Sequence, residues 1–159
     1  MVRLVIFTAL VALVVLSTAT AQDLYRVLNR KEGSWLNGHT GPDDAPIVVE
    51  EKSAGDLGIW RIVNDGGRSH TFYNKGSGLP VVSLDSEDPL MTTGAHIPPS
   101  RVRFEAVDTS AYRINDIETN LYWTRIDNEV YLRPRGASDD NQIWELQPAG
   151  FDEEFAFWE

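Results

Sequence analysis

Leu24-Tyr25-Arg26-Val27, His70-Thr71-Phe72-Tyr73 and Ala111-Tyr112-Arg113-Ile114 are the stretches whose reading decides the fold. Each alternates around an aromatic side chain, the period-two pattern of a strand with one face buried. Ten residues after the aromatic comes a second apolar position, so that Tyr25 leads to Trp35, Phe72 to Val82 and Tyr112 to Tyr122. Each stretch is later answered by a strand built on another large aromatic. These closing strands are Ile59-Trp60-Arg61-Ile62-Val63, Val102-Arg103-Phe104-Glu105-Ala106-Val107 and Ile143-Trp144-Glu145-Leu146. Thirty-two residues separate Phe72 from Phe104, and thirty-two separate Tyr112 from Trp144. The thirty-five between Tyr25 and Trp60 place the excess in the loop Gly38 to Pro46. A fixed period of this kind marks an internal repeat.

One more short strand falls inside each unit: Ile47-Val48-Val49, Leu90-Met91 and Val130-Tyr131-Leu132. Turn chemistry separates the strands at Asp65-Gly66-Gly67, Asn74-Lys75-Gly76, Asp88-Pro89, Pro98-Pro99 and Arg135-Gly136, and no apolar stripe runs at helical spacing. Four strands in each of three units make twelve. The sequence therefore predicts an all-β chain with the β-trefoil fold, twelve short strands in three pseudo-repeats. Six would close a barrel and six would cap one end as hairpins, and closure removes the exposed sheet edges. A β-sandwich is the competing assembly, and the matched spacings favour the trefoil. The units are expected near 24–63, 69–108 and 111–148, with Trp60, Phe104 and Trp144 at equivalent buried positions. Trp35, Phe72 and Tyr112 are expected to join them in the core.

The ends lie outside the repeat. Residues 1–21 read as a secretory signal: Arg3 supplies the charge, Leu4 to Leu16 the apolar run, and Ala19-Thr20-Ala21 a small-residue cut before Gln22. The apolar run is too short to span a hydrocarbon core of about 30 Å. A secreted location follows as the expectation, with one domain over 22–150 and an acidic, aromatic tail over 151–159. The formal net charge is −10, and loss of Arg3 with the leader makes it one more negative. Such a surface repels phosphate backbones, so neither nucleic acid nor membrane is an expected partner. The chain has no cysteine, so a hydrophobic core must hold it without disulfides. None of the eight asparagines after residue 21 begins an Asn-x-Ser/Thr sequon.

Catalytic constellations are missing from the pattern. His39, His70 and His96 are far apart with no i, i+4 pair, so no metal site is expected. No Gly-x-Ser-x-Gly occurs. Carboxylates cluster at Asp43-Asp44, at Asp85, Glu87 and Asp88, and at Asp127 and Glu129, in the same inter-strand loop of each unit. That recurrence fits solvated turns better than paired acids for glycoside chemistry. The expectation is a protein that is not an enzyme and needs no cofactor.

The third unit is distinctive. Leu121-Tyr122-Trp123-Thr124, Val130-Tyr131-Leu132-Arg133-Pro134 and Asn141-Gln142-Ile143-Trp144-Glu145-Leu146 resemble the closing repeat of the fungal β-trefoil serine protease inhibitors, the cospin-like family related to the mycocypins. Leu24-Tyr25-Arg26-Val27-Leu28-Asn29-Arg30 is similar to that family's first strand. The resemblance implies a peptidase as partner, serine or cysteine, blocked by a rigid surface loop. Preorganisation of such a loop lowers the ordering cost of binding. Many members lack a leader; the one here moves the implied target outside the cell.

Three loops are candidates for that role. The first, Asn37 to Pro46, holds Gly41, Pro42, Asp43 and Asp44, occupies the position that known cospin-like inhibitors use, and contains no Lys or Arg. The second, Asn29 to Gly33, offers the basic pair Arg30 and Lys31. The third, Tyr73 to Gly78, sets Asn74 before Lys75, and the related inhibitors of asparagine-cleaving cysteine proteases use an Asn in the corresponding loop. Gln142-Ile143-Trp144 also matches the Q-x-W mark of ricin-type trefoil lectins, which implies a glycan as the alternative partner. The glutamine is missing at Gly58-Ile59-Trp60 and in unit two, so unit three keeps the sugar candidates Asp116, Tyr122, Trp123 and Asn141.

Overall fold

The computed structural model describes residues 24–40, 44–136 and 140–149. The leader 1–21, the loop residues Gly41, Pro42 and Asp43, and the tail 151–159 lie outside the described residues. Unit one contributes β1 (Leu24–Asn29), β2 (Ser34–Asn37), β3 (Ala45–Pro46), β4 (Val48–Glu50) and β5 (Trp60–Gly66). Unit two contributes β6 (Ser69–Asn74), β7 (Val81–Val82), β8 (Met91–Thr92) and β9 (Val102–Ala106). Unit three contributes β10 (Ala111–Asp116), β11 (Tyr122–Ile126), β12 (Glu129–Arg133) and β13 (Trp144–Pro148). β3 and β4 are one strand interrupted at Ile47, so these segments make up the twelve strands of the expected plan.

Six strands close a ring through the antiparallel pairings β1–β5, β5–β6, β6–β9, β9–β10, β10–β13 and β13–β1. The remaining strands form three hairpins, β2–β4, β7–β8 and β11–β12, which cap one end. The cap is stitched at its centre. Ile47 N–H donates to Leu90 O at 2.9 Å, and Leu90 N–H donates to Val130 O at 2.7 Å. Ile47, Leu90 and Val130 have no exposed surface, one from each unit. These observations make the fold a β-trefoil, the architecture that the strand spacing predicts.

Register corrects one detail. Tyr25 pairs with Trp60, His70 with Val102 and Tyr112 with Trp144. On the other side of the closing strands, Trp60 pairs with Asn74, Val102 with Asp116 and Trp144 with Asn29. The unit-two counterpart of Trp60 and Trp144 is therefore Val102, and Phe104 belongs with Ile62 and Leu146, two residues along the same face. Phe72 likewise belongs with Val27 and Ile114, while His70 takes the place of Tyr25 and Tyr112. Both aromatics of unit two are displaced by two, so the spacing of thirty-two survives.

The core follows from these layers. Trp60 and Trp144 have no exposed surface. Their indole N–H groups donate to equivalent carbonyls of the second strands, Leu36 O at 2.9 Å and Trp123 O at 3.1 Å. Such pairing is what lets a polar indole sit in an apolar interior. In unit two, with Val102 in that place, bulk comes from Phe72 and from Trp123, whose rings lie 4.9 Å apart. Phe104, Tyr112 and Trp35 are only half-buried.

Candidate functional site: clefts at the unit junctions

Each first strand ends on a short polar side chain, and the corrected register makes Asn29, Asn74 and Asp116 equivalent. All are buried; Asn74 and Asp116 organise the hairpin turn that follows, while Asn29 ties the start of its turn to unit three. Asn74 donates to Leu57 O at 2.7 Å and accepts from Ser77 N–H at 3.0 Å. Asp116 accepts from the N–H and hydroxyl of Thr119 at 2.9 and 2.8 Å. Asn29 donates to Asn141 O at 3.0 Å. The bonds that Asn74 and Asp116 accept from Ser77 and Thr119 are turn-forming bonds of the Asx kind. Asn74 and Asp116, read from sequence as candidates for a protease loop and a sugar site, are thus placed at one structural position of the repeat. The signal was present: each lies four residues after Tyr25, His70 or Tyr112.

The other candidates scatter. Asn37 is buried, donates to Glu50 Oε2 at 2.7 Å and Lys52 O at 2.9 Å, and accepts from Ala54 N–H at 3.0 Å. Asp44 is exposed and accepts from the Thr93 hydroxyl. Lys75 is exposed and pairs with Asp56 at 2.9 Å. Tyr122 is buried, and its hydroxyl donates to Glu105 at 2.9 Å; burial, then this bond, pushes the phenol above its ordinary range. Trp123 is 0% exposed and packs in the core. That burial removes Trp123 from the sugar candidates, since a ring without exposed surface has no face to stack on a pyranose. Its neighbour in sequence, Tyr122, is 7% exposed and likewise offers little surface.

Arg30 and Lys31 differ. Arg30 is clamped by Asp108 at 2.5 Å and Glu145 at 3.1 Å. The hydrogen bond to Arg30 holds the Asp108 carboxyl below its ordinary value. Lys31 is exposed at the tip of the same turn. Arg30 N–H to Ile143 O and Gly33 N–H to Asn29 O, both 3.0 Å, tie the turn at its two ends.

What the fold builds most clearly is a set of clefts where one unit's capping hairpin meets the first turn of the next unit. Between units three and one, a cleft of about 710 Å³ runs from Lys31 and Glu32 past Thr124 and Arg125 to Asn141 and Gln142. The ion pair Arg125–Glu32, 2.7 Å, crosses it. Among the described residues no aromatic side chain lines it. Gln142 is buried and holds its walls together, donating to Thr124 Oγ1 at 2.9 Å and Pro134 O at 2.8 Å. The Q-x-W glutamine is therefore a structural residue here, and Asn141 alone of the four sugar candidates reaches this cleft.

Between units two and three, the equivalent cleft measures about 770 Å³. Its floor and walls combine the Tyr73 ring, the Leu84 side chain and Pro98-Pro99 with the polar groups of Asp85, Arg101 and Glu118. Leu84 is 50% exposed. Asp116 lies in this cleft with its turn-forming carboxylate. Between units one and two the 3-10 turn Gly55–Gly58 fills the equivalent position. Gly76 N–H donates to Asp56 O at 3.0 Å, and a Cβ on Gly76 would lie 2.8 Å from Leu57 Cδ2. Sequence reasoning missed Tyr73, Leu84 and Asp85 as a group; an apolar Leu84 within a polar loop was the available clue.

No protein-family model matches the chain, and no curated protein matches its sequence. Solved structures do match. The designed threefold-symmetric protein ThreeFoil superposes with a TM-score of 0.69 at 18% identity, over 79% of this chain and 98% of its own. SeviL bound to asialo-GM1 saccharide gives 0.66 at 14% identity, over 80% and 98%. The cytolethal distending toxin of Haemophilus ducreyi gives 0.67 at 14% identity, over 82% and 86%. Likeness at such identity is a likeness of fold, and it agrees with the strand pairing: the chain is a β-trefoil, with a saccharide-bound protein and a toxin among its structural neighbours.

Proposed function

We propose that the protein binds carbohydrate outside the cell, through the cleft between units two and three. The observation that carries this reading is the lining of that cleft. Sugars present hydroxyls that donate and accept, and a C–H face that packs on rings. Asp85 and Glu118 supply acceptors, Arg101 supplies donors, and Tyr73 with Leu84 supplies apolar surface. The cleft's size falls in the range of ligand sites, about 300–1,000 Å³. The neighbour SeviL, whose structure holds a saccharide, adds support from the fold. The leader over 1–21 supports the extracellular setting.

A glycan array followed by titration calorimetry on the best hit tests this. Tyr73→Ala and Asp85→Asn should each weaken binding at least tenfold, while Lys31→Ala should leave it unchanged. An empty array, or binding indifferent to Tyr73 and Asp85, would sink the reading.

One observation favours a second reading, inhibition of a peptidase of trypsin-like specificity. Lys31 projects from a turn anchored by two backbone hydrogen bonds and by the Arg30 ion pairs, which is the rigidity an inhibitory loop needs. A panel of trypsin, chymotrypsin, subtilisin, papain and legumain distinguishes the readings, with Lys31→Ala as the diagnostic variant.

A further inference from the structure

Asn29, Asn74 and Asp116 hold one position of the repeat, and at two of the three junctions that position donates a hydrogen bond. Asn29 Nδ2 donates to Asn141 O at 3.0 Å, and Asn74 Nδ2 to Leu57 O at 2.7 Å. Each acceptor belongs to a 3-10 turn, Asp140–Gln142 or Gly55–Gly58. Asp116 builds the same hairpin turn as Asn74. The bond from Asn74 N–H to Leu79 O, 2.9 Å, recurs as Asp116 N–H to Leu121 O, 2.8 Å. In both turns Oδ1 accepts from the residue three places on, Ser77 or Thr119. The turn therefore needs one acceptor oxygen and no charge. Because both bonds to the Asp116 side chain fall on Oδ1, its Oδ2 meets no donor among the described residues. That oxygen stands where Asn74 has its amide nitrogen. No 3-10 turn lies at the junction of units two and three among the described residues. The junction opens instead into the cleft of about 770 Å³, which Asp116 lines although it is only 2% exposed.

The rest of the lining adds like charge. Asp65, Asp85 and Glu118 line the same cleft, and Arg101 is the one Lys or Arg among its described lining residues. Arg101 is already paired with Glu118, at 2.5 Å. Asp65 accepts from the Thr71 hydroxyl, and Asp85 from the Ser86 hydroxyl and Glu87 N–H. Three carboxylates of the cleft, those of Asp65, Asp85 and Asp116, thus have no basic partner among the described residues. A carboxylate as buried as Asp116 is costly without a compensating charge. The apolar walls of Leu84 and Pro98-Pro99 keep water back and strengthen the field of all three. We propose that the glycan taken by this cleft carries an amino sugar with a free ammonium group, which Asp116 holds together with Asp65 and Asp85. An ammonium brings three donors and the missing charge, whereas an acidic sugar would set like charge against like. The proposal rests on the carbohydrate reading of the same cleft and narrows it to one class of ligand.

Titration calorimetry with the linear tetramer of glucosamine and its fully N-acetylated counterpart tests this, since acetylation removes the charge and keeps the rings. At low salt the free amine form should bind at least tenfold tighter, and salt at about 0.5 M should narrow that ratio several-fold. A tetramer of galacturonic acid should show no measurable binding. Asp116→Asn keeps the turn-forming oxygen, as Asn29 and Asn74 show, and should bring the ratio close to one. Should that variant fail to fold, Asp65→Asn carries the same test and should lower the ratio at least threefold. Equal binding of the two tetramers, lost in Tyr73→Ala, would overturn the ammonium assignment and leave the carbohydrate reading standing. A preference that survives Asp116→Asn would also overturn it. So would spermidine binding as tightly as the glucosamine tetramer, because charge alone would then suffice. Absence of binding by every tetramer and across the glycan array would overturn both readings together.

Discussion

Trp144 shows at one residue how the repeat is held. Its ring fills the core and its N–H reaches Trp123 O, so Trp144→Ala should cost about 3–5 kcal/mol, the range for a large buried aromatic. Urea denaturation checks this; an unchanged midpoint would mean that the ring contributes little. Asp108 shows the opposite, surface case. Its ordinary pKa of 3.8 is lowered in the folded state, first by the hydrogen bond from Arg30. The folded protein therefore releases this proton more readily than the unfolded chain. The resulting stabilisation is complete above the ordinary value and is lost as pH falls through the lowered one. Asp108→Asn should remove this part of the acid dependence while changing stability little in salt-containing buffer, because an exposed pair is screened. Thermal melts from pH 2 to pH 7 measure both.

Among the elements, the contact between the first two units leaves no room for a side chain at Gly38. A Cβ on Gly38 would lie 2.5 Å from Asn74 Nδ2, a group already fixed by Leu57 and Ser77. Gly38→Ala should therefore destabilise by about 1–3 kcal/mol, as overpacking does. Asn74→Ala should cost a similar amount by removing the acceptor of Ser77 N–H and one of the two donors to Leu57 O, the other being Gly38 N–H. Combined, the two should fall short of their sum, since each relieves or removes the other's conflict, and chemical denaturation of the three variants reads the coupling. The same element scale shows what the sequence made legible. Strand positions and the threefold period were readable because alternation is local. The register of unit two was not: a slip of two residues keeps every side chain on its face, whereas a slip of one would have exposed the core. Moving both Phe72 and Phe104 by two also left their separation intact. The cleft was illegible for another reason. Tyr73, Asp85 and Glu118 come from different strands and loops, and only the closed ring brings them together.

For the molecule as a whole, threefold symmetry is kept in the barrel and broken at the junctions. One junction is filled by the 3-10 turn Gly55–Gly58, and one is crossed by the Arg125–Glu32 pair and, among the described residues, lacks an aromatic wall. A glycan should therefore titrate at one site per chain, and calorimetric stoichiometry near three would contradict the cleft assignment. Ring closure through β1 and β13 has a mechanical consequence. The strands are antiparallel, with Tyr25 beside Pro148 and Asn29 beside Trp144, so the start of β1 lies against the end of β13. Tension applied at residues 24 and 149 loads their hydrogen bonds one at a time, beginning with Ala149 N–H to Leu24 O, instead of shearing all of them together. Pulled from its ends, this barrel peels open like a zip at low force, while the same pull through the hairpin cap meets the stitched centre first.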